Sequence, residues 1–356
     1  MEPSPPESDS GHDPQNEQSD SEERRFLRRF LKPGYAIIFV VLLVVSAVMA
    51  GYGHYTDPGP LPENKIILIP RGSVKVVGRV LQDNNVLSAG QVSSLFFQFI
   101  VKITAKGGAL QAAEFSFPSR VSIAHVLEIL RHGKAVSHNI TIAEGLTAAQ
   151  INRIFQNDSL LKGDMPPLVE GTVFPQTYSY QRDAERRTVL GRMQHLMTLT
   201  VEKQWEERDK KALEGIIGTP RQLVILASLI ERETSIAAER PRVARVFLNR
   251  LKKGMKLQTD PTVIYALTHG EGALDHPLSR EDLQIDSPYN TYRNTGLPPN
   301  PICSPGLSSL QAAAHPAEGA ELYFVATGQG GHNFSKTLEE HSEHVRAYRR
   351  FLMANP

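Results

Sequence analysis

ASLIERETSIAAERPRVARVFLNRLKKGMKLQTDPTVIYA, residues 227–266, decides how this chain is read. The helix that enters it starts upstream. Thr219 is an N-cap residue, Pro220 takes the first helical position, and Gln222 is placed to close a capping box. From Leu223 to Ile230 every residue but Ser228 is apolar. A helix apolar on most of its faces belongs inside a core. Glu231 and Glu233 stand at its end. Two residues correspond to about 200° of helical rotation, so the two side chains diverge. A second helix begins at Pro241, with Val243, Val246, Phe247, Arg250 and Leu251 on one face, and stops at Gly254. The polar run Gln258-Thr259-Asp260-Pro261 follows.

The two glutamates differ in their neighbours. Glu233 has Ile230, Leu229 and Leu226 at i−3, i−4 and i−7, whereas Glu231 has Ser228, Ala227 and Val224. Bulky apolar neighbours and the carbonyl end of a helix both resist ionisation, which favours Glu233 as a carboxylic acid that stays protonated near neutrality. Such a group can donate to a glycosidic oxygen. The competing reading makes both glutamates surface groups at a fraying helix end, paired with Arg232 or Arg240. Spacing alone favours it. Asn249 and Arg250 read equally as a polar packing pair. Asp260, before Pro261, reads either as a cleft residue or as a helix N-cap.

Around this stretch lie loops rich in proline and aromatic residues. EGTVFPQTY, residues 170–178, is one. Ser287-Pro-Tyr-Asn-Thr-Tyr292, followed by Thr295-Gly-Leu-Pro-Pro299, is another. Tyr289, Asn290 and Tyr292 suit stacking on a sugar or hydrogen bonding to it, and they suit packing too. Leu322–Ala326 and His332–Phe334, split by Gly-Gln-Gly-Gly, read as a β-hairpin before a final helix over residues 341–353. His332, His341 and His344 match no ligand spacing and read as solvent-exposed, so no metal is expected. No P-loop, GxGxxG or GxSxG motif occurs, and no cofactor is expected. Cys303 is the lone cysteine, which excludes an intrachain disulfide and makes a reactive thiol unsupported.

The 356 residues suggest two folded units, and with a net charge of +1 nothing marks a general nucleic-acid binder. Residues 1–33 read as a disordered tail, acidic over residues 1–23 and basic from Arg24 to Lys32. YAIIFVVLLVVSAVMAGYG, residues 35–53, carries no charge and nearly matches a ~30 Å hydrocarbon core, so residues 34–54 read as a transmembrane helix. A cleaved signal peptide is the alternative, disfavoured by the long leader. Basic residues precede the span and the next is Lys65, which puts the N-terminus in the cytoplasm and the body outside. Residues 55–64 read as a stiff linker. Residues 65–144 read as a small α+β unit, including a helix from Ser122 to Gly133 and a strand over 138–143. Residues 145–356 form a larger α+β unit, opened by the capping box Thr147-Ala-Ala-Gln150.

Glu231-Arg-Glu-Thr234, Phe247-Leu-Asn-Arg-Leu251, the unbroken run Leu257–Tyr265, Tyr289-Asn-Thr-Tyr292 and Gly296-Leu-Pro-Pro299 together resemble the endolytic murein transglycosylases, the MltG or YceG-like family. The resemblance covers roughly residues 65–350. It implies a LysM-like glycan-binding module before an α+β catalytic domain. It implies cleavage between N-acetylmuramic acid and N-acetylglucosamine inside nascent peptidoglycan strands, leaving 1,6-anhydromuramyl ends and ending glycan elongation. Glu233 takes the acid/base role under it, with Glu170, Gln258, Thr259, Asp260, Tyr265, Tyr289, Asn290 and Tyr292 as substrate-binding candidates. Gln176 departs from the family's usual acid. Family and topology further imply the bacterial inner membrane, a periplasmic catalytic domain, and contact with penicillin-binding proteins. Two other readings stay open. One is a muramidase-type hydrolase, with Asp260 or Glu170 assisting a water. The other is a non-catalytic, membrane-anchored glycan-binding scaffold.

Overall fold

A computed structural model describes residues 33–354. The tail expected at residues 1–33 falls almost wholly outside the described residues. The fold mixes helices with short strands and divides into two compact units, one ending at Val136 and the other beginning at Ser137.

The first unit opens with helix α1 (Pro33–Thr56), whose apolar side chains stay exposed on all sides along residues 35–49. It is long and apolar enough to cross a membrane. Strand β1 (Lys65–Leu68), helices α2 (Val74–Asp83) and α3 (Gln91–Ile103), strand β2 (Glu114–Phe117) and helix α4 (Ile123–His132) follow. The two strands pair antiparallel, with Lys65 opposite Phe117 and Leu68 opposite Glu114. Phe97, Phe115, Phe117, Leu81, Leu127 and Leu130 form the core between sheet and helices. Ser122 caps α4, accepting from the His125 amide at 3.3 Å. Gly133 ends that helix, but not in the left-handed conformation its position suggests. Its φ is −63°, and a Cβ there would come within 2.5 Å of the Ile129 carbonyl oxygen. Close approach, not positive φ, is what demands glycine.

The strand read as closing the first unit belongs to the second. Strand β3 (His138–Thr141) pairs antiparallel with β5 (Thr177–Tyr180), with His138 opposite Tyr180. Between them lie helix α5 (Ala148–Asn157), with a complete Thr147/Gln150 capping box, and strand β4 (Leu161–Lys162). Strand β6 (Ala184–Glu185) pairs with β4 and leads into α6 (Arg186–Glu207), and α7 (Lys210–Leu213) precedes the central helix α8 (Pro220–Glu233). Helices α9 (Arg240–Lys252), α10 (Asp260–Thr268) and α11 (Leu307–Ala314) pack around α8, as does α6. Every residue from Leu223 to Ile230 is buried, as the apolar run requires. Ser228 fits inside because its hydroxyl donates to Ile225 O at 2.7 Å and accepts from the Ile302 amide at 3.1 Å. Strands β7 (Tyr323–Ala326) and β8 (His332–Ser335) form the expected hairpin, covered by α12 (Leu338–Ala354).

Candidate active site

Helix α8 ends where the polar residues gather. Thr219 caps its start, accepting from the Gln222 amide at 3.2 Å. The Gln222 side chain, placed by its spacing to complete a capping box, instead accepts from the Gly218 amide at 2.7 Å. Thr234 leaves helical geometry with φ −142° and stops the helix.

The last turn sends its two glutamates apart, as the spacing predicts. Glu231 is not a surface group. Its side chain is 5% exposed and pairs at 2.9 Å with Arg240, itself 8% exposed. Its other oxygen accepts from the Gly306 amide at 2.8 Å, just before α11. Both oxygens are thus committed to holding the fold.

Among the described residues Glu233 makes a single side-chain hydrogen bond. Thr259 Oγ1 donates to its Oε2 at 2.6 Å. Among the described residues no donor reaches Oε1. Burial pushes the Glu233 carboxyl above the ordinary carboxylate range. The Thr259 hydrogen bond pulls it down, nearby Asp260 pushes it up, and His332 and Arg250 pull it down more weakly. Burial prevails, because taking a charge from water costs more than one hydroxyl returns. The result is a carboxylic acid with one oxygen pinned and the other open.

Thr259 is itself firmly placed. It is the N-cap of α10, so Asp260 is the first helical residue rather than the cap. The Thr259 amide accepts no freedom either: it donates to Thr291 Oγ1 at 3.1 Å, and Thr262 Oγ1 donates to Thr259 O at 2.7 Å. Gln258, immediately before, has φ +48°, a left-handed conformation uncommon for residues other than glycine and asparagine. Its side chain is exposed. Asp260 is exposed and accepts from Tyr292 Oη at 2.5 Å.

The other candidates divide. Tyr265 lies five residues beyond Asp260 on α10, about 140° around the helix, so it points elsewhere. It donates to Glu170 Oε2 at 3.2 Å, and its ring lies 4.9 Å from that of Tyr289. Glu170 also accepts from the Ala148 amide at 2.9 Å, at the start of α5. Burial pushes Glu170 up to about 7, against the lowering pull of the Ala148 and Tyr265 hydrogen bonds. It borders a cavity of about 450 Å³ with Val201, Val224 and Pro301. Glu170, Tyr265 and Tyr289 therefore form a second cluster, apart from the Glu233–Thr259–Asp260–Tyr292 group. Asn290 joins neither as a ligand-facing residue. It is fully buried, donating to Leu283 O and Ile285 O and accepting from the Tyr292 amide. It shapes the loop that presents Tyr289 and Tyr292.

One further result corrects the sequence reading. The three histidines are half-buried, not exposed. His332 is gripped by Glu239, through its ring Nδ1 at 2.7 Å and its backbone amide at 2.8 Å. Glu239 pays for burial, which raises its pKa, yet these bonds from His332 outweigh it and hold the carboxyl low. The hydrogen bonds of Asn249 and Arg250 go to backbone carbonyls. Asn249 donates to Glu321 O, and Arg250 donates to Leu322 O and Leu257 O, each at 2.6 Å. The Glu239–His332 pair joins residues 93 apart in the chain, and no spacing motif announces it. Cys303 is buried against Ser228 O, and burial pushes its thiol well up. Among the described residues no three His, Cys, Asp or Glu side chains assemble as a metal cluster.

Comparison with known proteins places the chain in a family. The profile of the YceG-like family matches residues 67–347. The endolytic murein transglycosylase of Bacillus subtilis (strain 168) is 33% identical over 316 residues, covering 79% of this chain and 84% of that protein. That of Streptococcus pneumoniae (strain D39 / NCTC 7466) is 26% identical over 371 residues, covering 87% of this chain and 64% of that longer protein. The crystal structure of a YceG-like protein from Listeria monocytogenes superposes with a TM-score of 0.50 at 29% identity, covering 79% of this chain and 98% of that one.

Proposed function

We propose, from the premise that this chain belongs to the YceG-like family, that it is an endolytic murein transglycosylase whose acid/base is Glu233. The observation that carries the assignment of Glu233 is its buried carboxyl, pinned through Oε2 by Thr259 and open at Oε1.

The chemistry follows from that arrangement. Thr259 occupies Oε2 as a donor, so the acid's proton resides on Oε1. Oε1 gives this proton to the oxygen bridging N-acetylmuramic acid C1 and N-acetylglucosamine. The C1–O bond breaks, the N-acetylglucosamine leaves with a hydroxyl, and positive charge develops at C1. The carboxylate, now ionised, takes the proton of the muramyl 6-hydroxyl as that oxygen bonds to C1. The acid is restored, no water is consumed, and a 1,6-anhydromuramyl end remains. A hydrolase of the two-carboxylate type needs its second carboxylate about 5–9.5 Å away. The intramolecular nucleophile removes that need. Gln258, Asp260 and Tyr292 are assigned to hold the sugar beside Glu233, and Tyr289 with Tyr265 and Glu170 to contact the glycan further along.

The first unit is assigned a LysM-like role in holding glycan. Its strand–helix–helix–strand order with two antiparallel strands supports this. The basic flank before α1 supports an N-terminus in the cytoplasm and a catalytic unit on the periplasmic side of the inner membrane. There it would act on nascent strands, ending their elongation beside penicillin-binding proteins.

The test is direct. The full chain, as wild type and as Glu233→Gln, is incubated with peptidoglycan and the new ends are read by mass spectrometry. Internal anhydromuramyl ends, lost in the variant, are the expected result. Reducing ends, or undiminished cleavage by Glu233→Gln, would sink the assignment.

A further inference from the structure

Helix α3 of the first unit has an apolar face that the protein leaves uncovered. Ser93, Phe97 and Ile100 face the core. Val92, Leu95, Phe99 and Ile103 do not. They are 83%, 65%, 58% and 58% exposed. At about 100° per residue these four fall within an arc of about 80°, forming a stripe about 16 Å long. Ser94, Gln98 and Lys102 occupy the remaining face, so the exposed stripe is bounded by core on one side and polar residues on the other. Scattered exposed apolar residues are ordinary, but a continuous stripe of large ones marks a surface made to be covered.

What lies beside the stripe identifies its cover. Phe96 sits at its edge, and its ring packs 4.9 Å from that of His54. A Cβ on Gly51 would meet the same ring at 3.8 Å. Gly51 and His54 belong to the last turns of α1. Tyr55 packs onto the first unit's core, and α1 also packs against α4. The apolar helix therefore does not dangle from the unit. Its end is seated on the unit, with α3 alongside at the level of residues 51–54. Lys102 lies on the polar border of the stripe and Lys106 follows in the next turn, both exposed.

We propose that the Val92–Leu95–Phe99–Ile103 face beds into the interfacial layer of the same bilayer that α1 crosses, with Lys102 and Lys106 reaching anionic headgroups. This rests on the reading of α1 as a membrane span. The partner is a lipid surface. A helix with an apolar stripe flanked by lysine suits burial ~5–10 Å into the boundary between headgroups and acyl chains, with the lysine ends snorkelling outward. The first unit is then held by two contacts rather than one, which fixes its tilt on the membrane.

The experiment places an environment-sensitive nitrobenzoxadiazole label on Leu95→Cys or Phe99→Cys in the full chain, with Val44→Cys in α1 as reference. Cys303 is buried, so the introduced thiol takes the label. The proteins are reconstituted into nanodiscs of phosphatidylethanolamine and phosphatidylglycerol, with and without a nitroxide-bearing lipid. Blue-shifted emission from positions 95 and 99, with most of it lost to the nitroxide as at position 44, is the expected result. Quenching at 44 without quenching at 95 and 99 would leave the anchor standing and overturn the proposal. Absence of quenching at all three would overturn both. Unquenched positions 95 that form intermolecular disulfides on mild oxidation would show a second copy as the cover, and would also overturn it. Because Leu95 and Phe99 are exposed, Leu95→Glu with Phe99→Glu is expected to fold, which a thermal melt checks. A label on Ile103→Cys in that background is expected to lose its quenching, and retained quenching would count against the stripe.

Discussion

Thr259 and Glu233 meet across two helix ends: the N-cap hydroxyl of α10 donates at 2.6 Å to the carboxyl in the last turn of α8. The positive end of one helix thus faces the negative end of the other, with the acid between them. The contact fixes which carboxyl oxygen is free and restrains how far the pKa rises.

Removing that hydroxyl has a signed consequence. The Thr259 hydrogen bond favours the ionised carboxylate, so Thr259→Val raises the Glu233 pKa further. The alkaline limb of the pH–rate profile, where the acid loses its proton, is expected to move to higher pH. The rate falls too, because Oε1 is no longer aimed. Thr259→Ser should restore both. A limb that moves to lower pH would contradict the arrangement.

Glu233→Gln is expected to lose roughly 10²–10⁴-fold in activity, the range for losing a general acid or base. Thermal stability should be kept or gained, since a neutral amide replaces a buried ionisable group. Denaturation melts alongside the product assay separate lost chemistry from lost folding.

Glu231 carries the opposite expectation. Glu231→Ala leaves buried Arg240 with only the longer contact to half-exposed Glu144, at 3.8 Å, and the Gly306 amide without an acceptor. Breaking a buried pair this way costs about 3–5 kcal/mol. Urea denaturation should show that loss, with activity falling only as the folded fraction falls.

Glu170 makes stability depend on pH. Its pKa is 4.5 in the ordinary state and about 7 in the fold, so the folded protein binds more protons between these values. Stability is then full below about pH 4.5 as far as this group is concerned, and is lost as pH rises toward 7, by up to about 3 kcal/mol. Glu170→Gln should flatten the fall in Tm between pH 5 and 8, and an unchanged slope would refute the assignment.

Much of the site was legible because it is local. The start of α8 could be read from Thr219 and Pro220, and the divergence of Glu231 from Glu233 follows from helical geometry. The hairpin at 323–335 announces itself by its glycines. What could not be read joins distant segments. Nothing near Asn290 tells that both amide hydrogens are spent on its own loop. The pairings of Glu239 with His332 and of Glu170 with Tyr265 span 93 and 95 residues. Strand β3 reads correctly as a strand, but its partner at 177–180 is a matter of tertiary pairing, so its allegiance to the second unit was hidden.

The segment from Ile302 to Gly306 grips α8 at two points one turn apart. The Ile302 amide bonds the Ser228 hydroxyl and the Gly306 amide bonds Glu231, while the Cys303 thiol reaches Ser228 O. Close packing of its apolar side chains already restricts how α8 can turn. These directional contacts add a key to the shaft, holding the angle at which α8 sits. The aim of Glu233 toward Thr259 is therefore also set from the opposite side of the helix.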